Sequence, residues 1–141
     1  MRYHRQLCTA LTLLASIPAS PASAGDLTIS ITGISEPAGM VHWALFDSAP
    51  AFDGEGAPVI AARSRVSGPT LTATVHDLPS GRYAVRLFHD SNGNGELDSN
   101  MLGIPREGYG FSNDAGARGP ASFEDAAVSI DGNARIKVNV R

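Results

Sequence analysis

From Ala134 to Arg141 the chain changes character at every step: Ala134, Ile136, Val138 and Val140 alternate with Arg135, Lys137, Asn139 and Arg141. A period of two sends successive side chains to opposite faces of an extended backbone, so the segment reads as a strand with one buried and one wetted face. The same rhythm recurs along the chain. Leu27, Ile29 and Ile31 alternate with Thr28, Ser30 and Thr32, and Val41, Trp43 and Leu45 with Met40, His42 and Ala44. Leu71, Ala73 and Val75 alternate with threonines, and Tyr83, Val85 and Leu87 with Ala84, Arg86 and Phe88. Val128 and Ile130 end one more strand, and Asp131-Gly132 is a hairpin signal that joins it to the last. Apolar residues nowhere follow a helical stripe through three turns. Residues 49–52 allow a single turn, and 58–66 read equally as strand or helix. These patterns predict an all-β domain: a two-layer antiparallel β-sandwich, immunoglobulin-like or transthyretin-like, of about seven strands.

Residues 1–24 have the layout of a signal peptide. Arg2, His4 and Arg5 precede an apolar stretch at 7–17, and small residues lead to Ala22 and Ala24, which suit cleavage between Ala24 and Gly25. The apolar stretch is too short to span a hydrocarbon core of roughly 30 Å, which takes about 20 residues. The expected location is therefore periplasmic or extracellular, with a single domain at 25–141 and no transmembrane segment. Cleavage would remove Cys8, the single cysteine, so the domain is expected to fold without disulfides. The chain carries a formal charge of −3, and loss of Arg2 and Arg5 makes it more acidic still. With no basic run or basic aromatic stripe, nucleic acid is not an expected partner.

Two segments break the strand rhythm. The shorter, 49–58, is a loop with Pro50, Gly54, Gly56 and Pro58. The longer runs from Asp90 to about Pro120 without a convincing strand, and a stretch of that length in a small domain usually has a function or is held by a ligand. Met101, Leu102, Ile104, Tyr109 and Phe111 are expected to anchor it against the sheets, with Tyr109 and Phe111 as plugs. Its first part, Asp90-Ser91-Asn92-Gly93-Asn94-Gly95-Glu96-Leu97-Asp98, places oxygen-bearing groups at alternate positions around a glycine.

That spacing is the ligand pattern of a calcium loop. With Asp90 at position one, Asn92 falls at three, Asn94 at five, Gly95 at the invariant glycine, the Glu96 carbonyl at seven and Asp98 at nine. Leu97 takes the position at which such loops turn an apolar side chain inward. Met101 stands where a bidentate glutamate would complete an EF-hand, so the match is to the shorter calcium loops of extracellular repeats. Glu107 is the first candidate for the missing carboxylate, ahead of Asn100 and Asp114. The expected metal site is Asp90, Asn92, Asn94, Glu96, Asp98 and Glu107, binding Ca²⁺ in the weak extracellular range, on the order of 10⁻⁴ to 10⁻³ M. Asn and Gly would also make Asx turns and a tight connection without any ion.

Catalytic signals are sparse: there is no G-x-S-x-G elbow, no H-E-x-x-H, and no paired-histidine spacing. The main expectation is a non-catalytic binding or structural module whose ligand is a protein, a glycan or a small apolar molecule. The alternative is a small hydrolase or isomerase using His89, Asp90 and Glu107. A purely structural role, through exposed edge strands, is the third reading.

Gly81-Arg82-Tyr83-Ala84-Val85, the run from His89 to Asp98, the block Gly103-Ile104-Pro105-Arg106-Glu107-Gly108-Tyr109-Gly110-Phe111-Ser112-Asn113, and Phe123-Glu124-Asp125-Ala126 together carry a resemblance. On these residues the chain resembles the bacterial domain-of-unknown-function family 2141, and the glycine-rich block is its most specific part. The resemblance implies a small exported β-sandwich of Gram-negative bacteria and no established activity. The turn at 78–83 is similar, more generically, to sandwich modules of surface adhesins and carboxypeptidase regulatory domains.

Overall fold

Two β-sheets packed face to face bury the apolar half of the alternating strands, as seen in a computed structural model that describes residues 23–141. The signal-peptide reading falls almost wholly on residues 1–22 and so lies outside the described residues. The strands are β1 (Ala24–Thr32), β2 (Met40–Phe46), β3 (Ile60–Arg65), β4 (Leu71–Pro79), β5 (Gly81–Asp90), β6 (Tyr109–Phe111), β7 (Val128–Ile130) and β8 (Ala134–Asn139). Two single-turn helices, α1 (Ala49–Phe52) and α2 (Phe123–Ala126), and a 3₁₀ turn at Ser112–Asp114 complete the domain. Among the described residues no helix is long and apolar enough to cross a membrane.

One sheet has the order β4-β1-β8, and the other β3-β2-β5-β6 with β7 also on β5. Leu27, Ile29 and Ile31 of β1, Val75 of β4 and Val138 of β8 meet Val41, Trp43 and Leu45 of β2 and Val85 and Leu87 of β5 in the sandwich core. The inward residues are those that alternation selects, because a pleated strand offers the core every second side chain. The ambiguous segment at 58–66 resolves as β3, an edge strand paired antiparallel with β2.

The structure corrects three sequence-based expectations. The Asp131-Gly132 turn does not close a β7–β8 hairpin: β7 pairs with β5, and β8 crosses to the other sheet and runs parallel to β1. Two-residue turn chemistry reverses the chain, but which strand receives it depends on which edge is free, and here the edge of β1 is. The long connection also contains a short strand, β6, which pairs with β5 at Arg86–Phe111 and Phe88–Tyr109. Its far side exchanges backbone hydrogen bonds with Arg141, 3.1 and 2.9 Å, and so draws the two sheets together at one edge. Close approach dictates the glycine at 110, because a Cβ there would sit 2.4 Å from the Asn139 carbonyl oxygen. Finally, Met101, Leu102 and Ile104 are not anchors: they are 103%, 83% and 56% exposed, whereas Phe111 is buried and Tyr109 half-buried.

A second apolar cluster lies on the outer side of the five-stranded sheet. Phe46, Phe52, Ala84, Phe111, Phe123 and Ala126 build it, with α1, α2 and the 3₁₀ turn as its cover. Phe52 is its centre, at ring distances of 5.4 Å from Phe46 and 6.1 Å from both Phe111 and Phe123. Beneath the cover, β5 shares its second edge between β7 and β6, and the Val85 N–H in the gap donates to Ser112 Oγ at 2.8 Å. Ser112 Oγ in turn donates to the Ala126 carbonyl at 2.6 Å. A hydroxyl is needed at that point, because a buried backbone N–H without a partner is costly.

Candidate functional site

Asp90 ends β5, and successive strand residues face opposite ways, so it points to the outer side of the sheet while His89 points to the core. Its carboxylate is almost fully enclosed, at 1% exposure. Oδ1 accepts the N–H groups of Gly93 (2.7 Å) and Asn94 (3.1 Å). Oδ2 accepts the Gly95 N–H (2.9 Å) and His42 Nε2 (3.2 Å). Gly93 and Gly95 adopt φ of 76° and 82°, the left-handed backbone that lets consecutive N–H groups turn toward one carboxylate. Burial opposes ionisation of Asp90. The N–H groups of Gly95 and Gly93, the His42 ring and the Asn94 N–H outweigh it and hold the carboxyl below the usual carboxylate range.

Asp98 closes the loop from the other end. Its two carboxylate oxygens accept Asn92 Nδ2 at 2.6 Å and Asn94 Nδ2 at 2.9 Å. The amide oxygens of the same residues each accept one backbone N–H, from Asn94 (3.0 Å) and Glu96 (2.9 Å), and an amide oxygen has a second lone pair. Glu107 folds back across the loop. Its Oε1 accepts the Ser91 N–H at 2.9 Å and its Oε2 the Asp98 N–H at 3.1 Å. The Asp98 carbonyl also accepts the Arg106 N–H at 2.7 Å, so the return strand is tied to the loop by backbone as well.

The loop thus brings Asp90, Asn92, Asn94, Asp98 and Glu107 into one hydrogen-bonded knot, with Glu96 on its rim. Among the described residues no Lys or Arg pairs with Asp90, Asp98 or Glu107, and His42 is the sole basic partner of the three. No group of three or more His, Cys, Asp or Glu side chains among the described residues is arranged as a metal cluster. Leu97 is 37% exposed and lies against the outer face of the sheet. Asn100 turns elsewhere, its Oδ1 accepting the Leu102 and Ile104 N–H groups, and Asp114 pairs with Arg141 at 3.2 Å.

His89 stays apart from this knot. It is 3% exposed, and its Nε2 lies 2.7 Å from the Ala38 carbonyl, which only accepts, so that nitrogen carries the proton. His42 is the site residue that strand-by-strand reading overlooks. Its ring stacks on Phe88 at 4.8 Å between centroids and 4° between planes, which aims Nε2 at Asp90. The pairing of β2 with β5 sets this contact by placing His42 opposite Phe88 and Met40 opposite Asp90, and no short-range sequence signal encodes it.

An eight-stranded sandwich with an acidic, glycine-turned loop at one corner and the Gly-Tyr-Gly-Phe-Ser strand beside it is the class of domain these features define. Residues 29–138 match the family described as an uncharacterised protein conserved in bacteria (DUF2141), and the chain belongs to that family. No curated protein and no solved structure matches the chain.

Proposed function

We propose that this protein is an exported, non-catalytic binding module whose long loop is fastened by Ca²⁺. The observation that carries the metal reading is the return of Glu107 to Ser91 and Asp98, which adds a third carboxylate to a loop already holding Asp90 and Asp98 with no Lys or Arg partner. Three carboxylates on one loop without a Lys or Arg partner among the described residues leave it short of positive charge, which a divalent cation would supply. The donors are hard oxygens throughout, which suits Ca²⁺. Asp98 and Glu107 would supply charge, Asn92, Asn94 and the Glu96 carbonyl neutral oxygens, and Asp90 the carboxylate about which the loop's N–H groups turn. Export rests on the signal-like segment at 1–24.

Calcium titration with thermal melting tests the proposal. Calcium tenfold above Kd is expected to add about 1.4 kcal/mol of stability, reversed by EGTA. Asp98→Asn is expected to abolish most of that shift while keeping the fold. A melt indifferent to both calcium and EGTA, together with silent calorimetry, overturns the metal reading.

A further inference from the structure

The second apolar cluster covers one end of the outer face of the five-stranded sheet, and beside it lies an open cavity of about 700 Å³. Strand register shows how it arises. One cross-strand row reads Arg63, His42, Phe88, Tyr109, and the next reads Ala61, Ala44, Arg86, Phe111. Two alanines between large neighbours leave a trough in the sheet surface. The stacked His42–Phe88 pair and Tyr109 form one wall, and Leu97 from the loop adds to the lining.

The opposite wall carries charge. The Arg86 guanidinium lies 5.0 Å above the Phe46 ring and 5.5 Å above Phe52, and Nη1 donates to the Phe52 carbonyl at 2.9 Å. Aromatic faces and one hydrogen bond hold the group in place, yet a guanidinium has five N–H donors. Arg63, in the row of His42 and Phe88, projects from the edge strand β3 on the same face of the sheet. Among the described residues neither arginine pairs with a carboxylate, in a chain whose formal charge is −3. Two guanidinium groups without a carboxylate partner beside an aromatic trough offer complementarity to an anion with an apolar body.

We infer that this trough binds a small carboxylate with a flat apolar body, the body laid over Ala44 and Ala61 against the edges of the stacked His42 and Phe88 rings, and the carboxylate held by Arg86, with Arg63 at the edge-strand end of the trough. The volume falls within the roughly 300–1,000 Å³ usual for small-molecule sites, and a fixed guanidinium fork matches a carboxylate in two parallel hydrogen bonds. The inference rests on the binding-module reading above and supplies the ligand class that it leaves open.

The test titrates 1-naphthoate, 1-naphthalenemethanol and 1-naphthyl phosphate into the protein by calorimetry and amide NMR. Naphthoate is expected to shift the amides of Ala44, Ala61, Phe88 and Tyr109, and the alcohol to bind at least about tenfold more weakly. Arg86→Met keeps an apolar stem over Phe46 and Phe52 and is expected to weaken naphthoate by about tenfold, bringing it level with the alcohol. Ala61→Leu fills the exposed edge of the trough and is expected to weaken acid and alcohol alike, with an unchanged melt. Equal binding of acid and alcohol, tighter binding of the phosphate, shifts outside the trough, or sedimentation showing the face covered by a second copy each overturns the inference. Repeating the titration in EGTA separates it from the calcium proposal. Naphthoate binding beside a calcium-indifferent melt supports the trough and removes only the metal, whereas a calcium-dependent melt without naphthoate binding removes the trough.

Discussion

Strand β5 has two faces, and they contrast as core and site. Inward, Tyr83, Val85, Leu87 and His89 are all buried, and the two polar groups among them are satisfied by backbone: the Tyr83 hydroxyl donates to the Pro79 carbonyl at 2.9 Å, and His89 to that of Ala38. Outward, the same strand presents Ala84 under the phenylalanine cluster, then Arg86 and Phe88 at the open trough, then Asp90 at the root of the acidic loop. A single alternating segment thus supplies a closed core on one side and graded exposure on the other. What differs is the cover. The opposing sheet spans the whole inner face, while α1, α2 and the 3₁₀ turn reach only one end of the outer face.

Substitutions on the two faces should therefore behave differently. Leu87→Ala empties a fully packed inner position and is expected to cost about 2–5 kcal/mol in urea unfolding. An effect below that of an exposed alanine substitution would mean that the inner face is not the core it resembles. Ser112→Ala is expected to cost about 1–3 kcal/mol, since it strips the Val85 N–H and the Ala126 carbonyl of their shared partner. Ser112→Thr, if accommodated, should recover part of the loss.

Asp90 sharpens the contrast through pH. Because folding lowers its pKa, its contribution is complete above the unfolded carboxyl value and is lost as pH falls through the lower folded value. Stability of the wild type should fall on acidification through that range, and Asp90→Asn should flatten the fall. Asp26, held down by the His76 ring and the Asp77 N–H at the surface, leaves a smaller acid dependence in the variant. An unchanged slope in Asp90→Asn would show that the N–H knot does not favour the ionised carboxylate. At the small end, Leu102→Ser is expected to alter stability by no more than about 0.5 kcal/mol, because its side chain is already in water. A larger loss would return residues 101–104 to the role of anchors.

The strands that alternate over four or more residues were legible because the signal is local: each apolar residue two along from the last faces the same sheet. Residues 109–111 escaped the same reading. A three-residue strand interrupted by a glycine carries too few alternations, and it forms only because β5 has a free edge and Arg141 closes its other side. The acidic loop was legible as a spacing of oxygens, while the hydrogen bonds of Glu107 to the Ser91 and Asp98 N–H groups are a matter of tertiary structure. His42 was not, since its contact with Asp90 crosses two strands that are far apart in the chain.

Composition and periodicity alone determined that this chain makes a β-sandwich, which side chains of the alternating strands face its inner core, and where its acidic loop lies, because those properties depend on neighbours one to four residues away. Tertiary structure alone decided that β8 crosses to run beside β1, that Ser112 completes β5, and that alanines and arginines of three strands share one trough. Those outcomes depend on which edges and faces remain uncovered after the sheets have packed, a choice made between segments distant in sequence.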